Sequence, residues 1–388
     1  MEAAFTNGLE RVVMPEVGHF LHLEQPDAVF DHILRFKNLT DPAREDRPCP
    51  GTTRSLSQQD KSMSKRPPIL ITGAGGEVGS VSRTMIKMLL QQCAVRAFVR
   101  TDDERAEALR QAGAEVFVGD LLNASDVAAA LKGCRRIYFS MSLNPYYSDA
   151  TILMAAVARA QGGIEVFVNI SEFEQTFMTF DRMTAEREAR IAWLGGSVAE
   201  WSPQQRAHWA SEQALQWSGL PVVNIRATMF AENPILSWFP LKQLLSAGEL
   251  HLPFATQKIA PIAAYDVAEV CAKILTDPPS HISMSYALTG PVLKDMHGFA
   301  EDYGAALGRQ VSYVPQDLDA WIGTYIDRAL ASRNPHIADH LKAITRLVAG
   351  GRYDVVTDEL ERLLGRAPKT VQWALEHNPR IRKALEGA

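Results

Sequence analysis

From residue 68 onward, short apolar runs alternate with stretches whose apolar residues recur at helical spacing. Ile69–Thr72 reads as a strand, and the segment after it carries Val81, Met85, Met88 and Leu89 on one helical face. Val95–Val99 is a second strand and Asp103–Ala112 a second helix. Glu115–Val118 is a third strand, followed by a helix over Ser125–Leu131 with Ser125 as its N-cap. Arg136–Phe139 and Val166–Ile170 follow as strands, separated by an alanine-rich helix near 149–161, and Val222–Ile225 is a sixth. Strand and helix in regular alternation predict an α/β fold with a doubly wound parallel sheet. Residues 318–388 are largely helical in pattern, so a smaller, mostly helical C-terminal substrate lobe is expected beside the Rossmann domain. The expected divisions are a polar linker over 41–66, a nucleotide-binding core over 67–235 and the C-terminal lobe over 236–388.

Two segments break the alternation. Residues 172–201 are too long for a crossover loop and mix Phe173, Phe177, Met178, Phe180 and Trp193 with Asp181, Arg182 and Glu186. They read either as a lid or as a surface elaboration or oligomer contact. Ser202-Pro203-Gln204-Gln205 then has the form of a capping box with proline at the first helical position. Residues 40–66 are rich in Pro, Ser, Arg, Asp and Gln, with few large apolar side chains, which is a linker composition.

The turn after the first strand carries the chemistry. Residues 69–79 read Ile-Leu-Ile-Thr-Gly-Ala-Gly-Gly-Glu-Val-Gly. Gly73 permits the tight turn, Gly76 leaves room for a pyrophosphate, and Gly79 lets the helix pack on the sheet. The first N–H groups of that helix would face the phosphates with the positive end of its dipole. Thr72, Gly73, Gly76, Glu77, Val78 and Gly79 are therefore candidate cofactor-binding residues.

Bulk properties narrow the picture. The 388 residues are 46% hydrophobic and 22% charged, with a formal net charge of −5 and no basic block. A soluble globular protein is expected, with no nucleic-acid surface and no membrane span. No secretory leader is evident, and the four cysteines lack metal-ligand or redox spacing, so a cytoplasmic location and no metal are expected. His336 and His340 are metal-spaced but have no third ligand nearby, and read as surface residues.

Further landmarks are Phe98-Val99-Arg100, Gly119-Asp120-Leu121, Ser140-Met141-Ser142 and Val168-Asn169-Ile170-Ser171, then His208-Trp209-Ala210-Ser211-Glu212, Ile225-Arg226-Ala227 and Phe230-Ala231-Glu232-Asn233. Together they resemble the NmrA-like branch of the atypical short-chain dehydrogenase/reductases, over about 68–370. That family includes redox-sensing regulators and small NADPH-dependent quinone reductases. The resemblance implies that the residue closing the second strand meets the adenosine ribose. Arg100 stands there, where a basic side chain suits a 2′-phosphate, so NADP is favoured with NAD possible. It also implies that Asp120 and Leu121 border the adenine and that Ser140 and Met141 lie along the nicotinamide ribose.

The chain departs from the family in its catalytic pair. None of the nine tyrosines has Lys at the fourth following position, and alignment on Glu212 puts Gln204 and His208 where Tyr and Lys would be. His208, which titrates near neutrality, and Ser171, at the end of the fifth strand, are the candidate catalytic residues. Glu212 reads as an exposed helix charge, and Asn233 as a residue orienting a loop near the substrate cleft.

Residues 11–37 resemble the C-terminal end of an α/β-hydrolase, with Gly18-His19 where that family keeps its catalytic base. No nucleophile elbow accompanies them, and about forty residues cannot build the sheet a triad needs, so residues 1–40 are expected to be a remnant. The expected function is an NADP(H)-binding protein reducing a small carbonyl or quinone-like compound by hydride transfer, as a monomer or homodimer. The alternative is a non-catalytic NAD(P) sensor that regulates a protein partner.

Overall fold

The computed structural model describes residues 67–76, 81–196 and 198–386. The expected segments 1–40 and 41–66, and the candidate residues Glu77, Val78 and Gly79, lie outside the described residues. Seven strands form one parallel sheet: β1 (Ile69–Ile71), β2 (Val95–Val99), β3 (Glu115–Val118), β4 (Arg136–Phe139), β5 (Val166–Glu172), β6 (Val222–Ala227) and β8 (Ser285–Leu288). Their order is β3-β2-β1-β4-β5-β6-β8. The order reverses between β1 and β4, which pair in register Ile69↔Arg136 to Ile71↔Tyr138. At such a switch point the crossovers leave in opposite directions and open a crevice at the carboxyl ends of the strands.

The central strands are apolar because helices cover both faces. Ile69 and Ile71 face one core with Val168, Ile225 and the helices Val81–Leu89 and Ala264–Thr276. Leu70, Ile137, Phe139 and Phe167 face the other, against the helices Ala124–Leu131, Tyr147–Gln161 and Pro203–Trp217. Leu70 is 0% exposed, and truncation of such a side chain to alanine costs about 2–5 kcal/mol.

The sheet does not stop at residue 235. β8 pairs with β6 through Asn224↔Ser285 to Ala227↔Leu288, and the helix Ala264–Thr276 packs on the same sheet. The boundary expected between core and C-terminal lobe is thus crossed by a return of the chain. A second core gathers residues after β6, with β7 (Glu249–Leu252) and β9 (Ser312–Pro315) paired in parallel beside it. Phe254, Phe299, Trp321 and Leu347 fill it. Residues 322–331 wind as a π-helix.

The segment 172–201 joins this second core: Phe173, Met178, Leu194 and Trp201 are buried in it. Arg352 lies over the rings of Phe177 and Trp193, 4.2 and 3.5 Å from their centroids. The segment is a packed wall, because its aromatic residues find partners in the C-terminal helices. The capping box forms as expected: Gln205 N–H donates to Ser202 Oγ (3.1 Å) and Ser202 N–H to Gln205 Oε1 (2.9 Å). The helix at 124–131 is capped by Asn123 instead of Ser125; Asn123 Oδ1 accepts from the backbone of Ser125 and Asp126. Asn123 has the extended conformation an N-cap needs, and Ser125 is already inside the helix.

Candidate functional site

A cavity of about 560 Å³ opens at the carboxyl ends of β1, β4, β5 and β6. Its entrance is the glycine turn, with Gly73, Gly75 and Gly76 on the wall. Gly76 N–H donates to Gly73 O at 3.1 Å. Gly73 has φ +69°, and a Cβ there would lie 2.9 Å from Ser140 O. A Cβ on Gly75 would meet nothing within 4 Å. Glycine is thus demanded by the backbone at 73, while the turn leaves open space at 75.

Thr72 is buried and does not line the cavity. Its Oγ1 donates to Ser140 O (2.7 Å) and accepts from Ser140 N–H (2.8 Å), clasping the end of β1 to the end of β4. Ser140 and Met141 line the middle of the cavity. Arg100, Asp120 and Leu121 do not. Arg100 is exposed at the end of β2. Asp120 Oδ1 accepts from Leu122 N–H, and Leu121 packs on the second face of the sheet. Arg105 was missed: it lines the entrance and donates through Nη1 to Gly75 O (2.9 Å), held by Asp103 at 2.6 Å. The signal was available, since Asp103 caps the helix in which Arg105 occupies the first turn.

Beyond Ile170 the cavity widens into an apolar chamber bounded by Phe173, Met229, Phe230, Trp238, Phe239 and Ile344. Asn233 also lines it, and its side chain caps the short helix Pro234–Ser237. Ser171 and His208, the two candidate catalytic residues, both line this chamber. Ser171 Oγ and His208 Nδ1 are buried without a hydrogen-bond partner, which marks them as groups awaiting a ligand or water. The His208 ring packs 4.3 Å from that of Tyr147, whose hydroxyl donates to Ile170 O.

Glu172 ends β5 between two imidazoles. Its Oε1 lies 3.4 Å from His208 Nε2 and 3.3 Å from His340 Nε2. His340 is 3% exposed, not a surface residue, and its Nδ1 is 3.1 Å from Ser202 Oγ. His336 is half-buried, with Nε2 2.7 Å from Gln204 Oε1. Burial, then the nearby Glu174, push Glu172 up to about 8. Burial, followed by the neighbouring imidazole, presses His208 and His340 each down to about 3. Glu212 is also buried, at 4% exposure, and binds Arg226 at 2.6 Å; its charge points to the strand, not to solvent. Among the described residues, no group of three or more His, Cys, Asp or Glu is arranged to hold a metal ion, and no helix is long and apolar enough to cross a membrane.

These shifts have a consequence for stability. Glu172 in the fold keeps its proton up to about 8, against an ordinary value of 4.5. The folded state therefore binds a proton that the unfolded chain has lost in that window. The associated stability is complete below the lower value and drains away as the pH rises through the upper one. Thermal unfolding should show the wild type losing stability relative to Glu172→Gln across this window. Parallel curves would mean that Glu172 is ionised at neutral pH.

Residues 73–278 match a family model described as NAD(P)H-binding. An NAD(P)H azoreductase from Xenophilus azovorans is 26% identical over 312 residues, spanning 78% of this chain and 94% of the relative. The fold is shared with an NADPH-dependent quinone oxidoreductase from Escherichia coli, solved with NADPH, at a TM-score of 0.63 and 19% identity; 82% of this chain and 99% of that one are covered. It is shared equally with NmrA, a negative transcriptional regulator solved with NADP, at a TM-score of 0.64 and 18% identity over 84% and 98% of the two chains. The NmrA-like resemblance read from the residues is borne out, with its α/β Rossmann fold.

Proposed function

The chain belongs to the NAD(P)H-binding family, and from that premise we propose that it is an NADPH-dependent reductase of a small aromatic acceptor of the quinone, azo or carbonyl type. The observation that carries this reading is the continuity of the cavity: one space runs from the glycine turn, past Ser140 and Met141, into the apolar chamber. The second half gives an acceptor a place next to the cofactor. The residues present fit the cofactor. Gly75 and Gly76 leave the cradle open, Ser140 and Met141 flank it, and Arg105 stands at its mouth. When bound, the nicotinamide supplies a hydride; the chain contributes orientation, exclusion of water and a proton. Phe173, Met229, Phe230, Trp238 and Phe239 offer flat apolar contact to an aromatic ring, and the C-terminal segment closes the chamber through Leu330, Ile337, Leu341 and Tyr353. Glu77, Val78 and Gly79 complete the cradle in this reading, with Asp120 and Leu121 towards the adenine, and the protein works in the cytoplasm.

The second reading, an NAD(P) sensor acting through a protein partner, is favoured by the missing Tyr/Lys pair. NADPH oxidation against quinones, azo compounds and aldehydes, run beside a binding titration, separates them. Turnover with an aromatic acceptor is expected; tight binding without turnover would favour the sensor.

Cofactor preference follows from Arg100, with Arg105 nearby in sequence. If Arg100 meets the 2′-phosphate, Arg100→Ala weakens NADPH binding by about 1.5–3 kcal/mol, the worth of a hydrogen bond to a charged group, and NADH binding far less. Equal losses for the two nucleotides in calorimetry would remove Arg100 from that role. The same comparison for Arg105→Ala tells which guanidinium reads the phosphate.

A further inference from the structure

We propose that Glu172 is the acid of this cavity, its Oε1 facing Nε2 of His208 and of His340 and its Oε2–H presented to whatever fills the chamber. The inference rests on the reductase reading above and names the residue that supplies its proton.

One carboxylate oxygen lies between two imidazole nitrogens, 3.4 and 3.3 Å away, and all three side chains line the chamber. The tautomers follow from the outer partners. Ser202 Oγ already accepts from Gln205 N–H, so its own proton is free to go to His340 Nδ1. That leaves His340 with its proton on Nε2, facing Glu172. His208 Nδ1 has no partner; a proton on Nε2 instead faces Glu172 Oε1 at 3.4 Å, an acceptor it can bond once the carboxyl is charged. Glu172 Oε1 is closed to solvent and accepts no hydrogen bond, the two imidazoles lying close without bonding it, while the side chain as a whole is 19% exposed. Oε2 is therefore the oxygen that can meet a ligand.

The surroundings keep the acid protonated. Glu174, two residues on, is bound to Arg352, and Tyr353 closes the same wall. Tyr147 faces it from the helix behind His208, Glu212 further along the His208 helix is spent on Arg226, and His336 is tied to Gln204. Burial, followed by the charge of the nearby Glu174, raises the carboxyl.

A bound reduced nicotinamide would supply the acceptor's hydride and with it both electrons, and Glu172 supplies the proton. The Oε2–H bond breaks, an O–H or N–H bond forms on the acceptor, and the two imidazole N–H groups close on Oε1 of the carboxylate left behind as its charge develops. Water entering after release returns the proton. His208 and His340 are positioning residues in this scheme, and Glu172 is the catalytic one.

The test uses the full chain and two readouts. Infrared titration without cofactor should show a protonated-carboxyl C=O band at neutral pH that disappears as the pH passes about 8 and is missing from Glu172→Gln. With NADPH and a quinone acceptor, kcat/KM should be flat at lower pH and fall above that value. Glu172→Gln should lose about 10²–10⁴-fold in turnover with NADPH affinity retained. His340→Leu, which removes one N–H donor and keeps the carboxyl, should move the alkaline limb to higher pH. A missing band, or a Glu172→Gln enzyme with undiminished turnover, overturns the proposal. A wild type that turns over no acceptor counts against the reductase reading, and the infrared titration still decides whether Glu172 holds a proton.

Discussion

Gly76→Val should abolish NADPH binding while leaving the protein folded, and Gly73→Ala should do the reverse, lowering stability first. At residue 76 a Cβ would touch only Gly73 O, at 3.3 Å, so a small shift of the turn accommodates it. The two methyl groups of valine then stand in the cavity that Gly76 lines. Displacing a pyrophosphate from two backbone donors at about 1.5–3 kcal/mol each weakens binding by about 10²–10⁴-fold. At residue 73 the cost lies in the fold. The backbone is left-handed, at φ +69°, and a Cβ would press on Ser140 O at 2.9 Å and on the Ser140 side chain at 3.1 Å. The conformation alone costs about 1–2 kcal/mol for a residue with a Cβ, and the clash strikes the clasp that Thr72 makes to β4. Calorimetric titration and thermal unfolding of the two variants give the crossed pattern. A folded Gly76→Val protein with wild-type affinity would refute the site.

The second large effect lies in the chamber wall. Arg352→Met should destabilise the protein by about 3–5 kcal/mol, because it strips the partner from a buried carboxylate. The Glu174 side chain is 0% exposed and receives Arg352 at 3.2 Å and Trp201 Nε1 at 3.0 Å. Burial raises its pKa, and Arg352 is the main influence opposing that rise. With Arg352 gone the carboxyl must take up a proton or the wall must open. Adding Glu174→Gln to Arg352→Met removes the orphaned charge and should recover much of the loss in urea unfolding. A double variant no more stable than the single one would mean that Arg352 acts through its contacts with Phe177 and Trp193.

The glycine turn and the alternation of strand and helix around it were legible because each depends on neighbours close in sequence, whereas Ser140, Met141, Ser171 and His208 were proposed from the family resemblance, and all four line the cavity. A strand buried on both faces writes a continuous apolar run, as Ile69–Ile71 does, and its turn follows at once. β8 was not legible: Ser285–Leu288 is four residues of mixed polarity, reached only after the chain has left the sheet and come back. The acidic and imidazole cluster was hidden for a related reason. Glu172 and His340 are 168 positions apart in the numbering, and a polar residue's burial is decided by what the fold brings against it. His340 at helical spacing from His336 looks like a surface pair until Ser202, capping a different helix, is seen to hold its Nδ1. Glu212 was misread in the same way, although its partner Arg226 sits only fourteen residues away across a turn, at Ser171 in the register of β5 and β6.

The proposed reduction requires cofactor and acceptor to share one cavity and react there. Rapid mixing of the NADPH-loaded full-length protein with an aromatic quinone, following NADPH in a single turnover, tests it most directly. The account predicts that bound NADPH is consumed one for one with the acceptor, and that deuterium at the transferring carbon of the nicotinamide slows the reaction. NADPH that stays bound and unchanged across quinone, azo and carbonyl acceptors would contradict it.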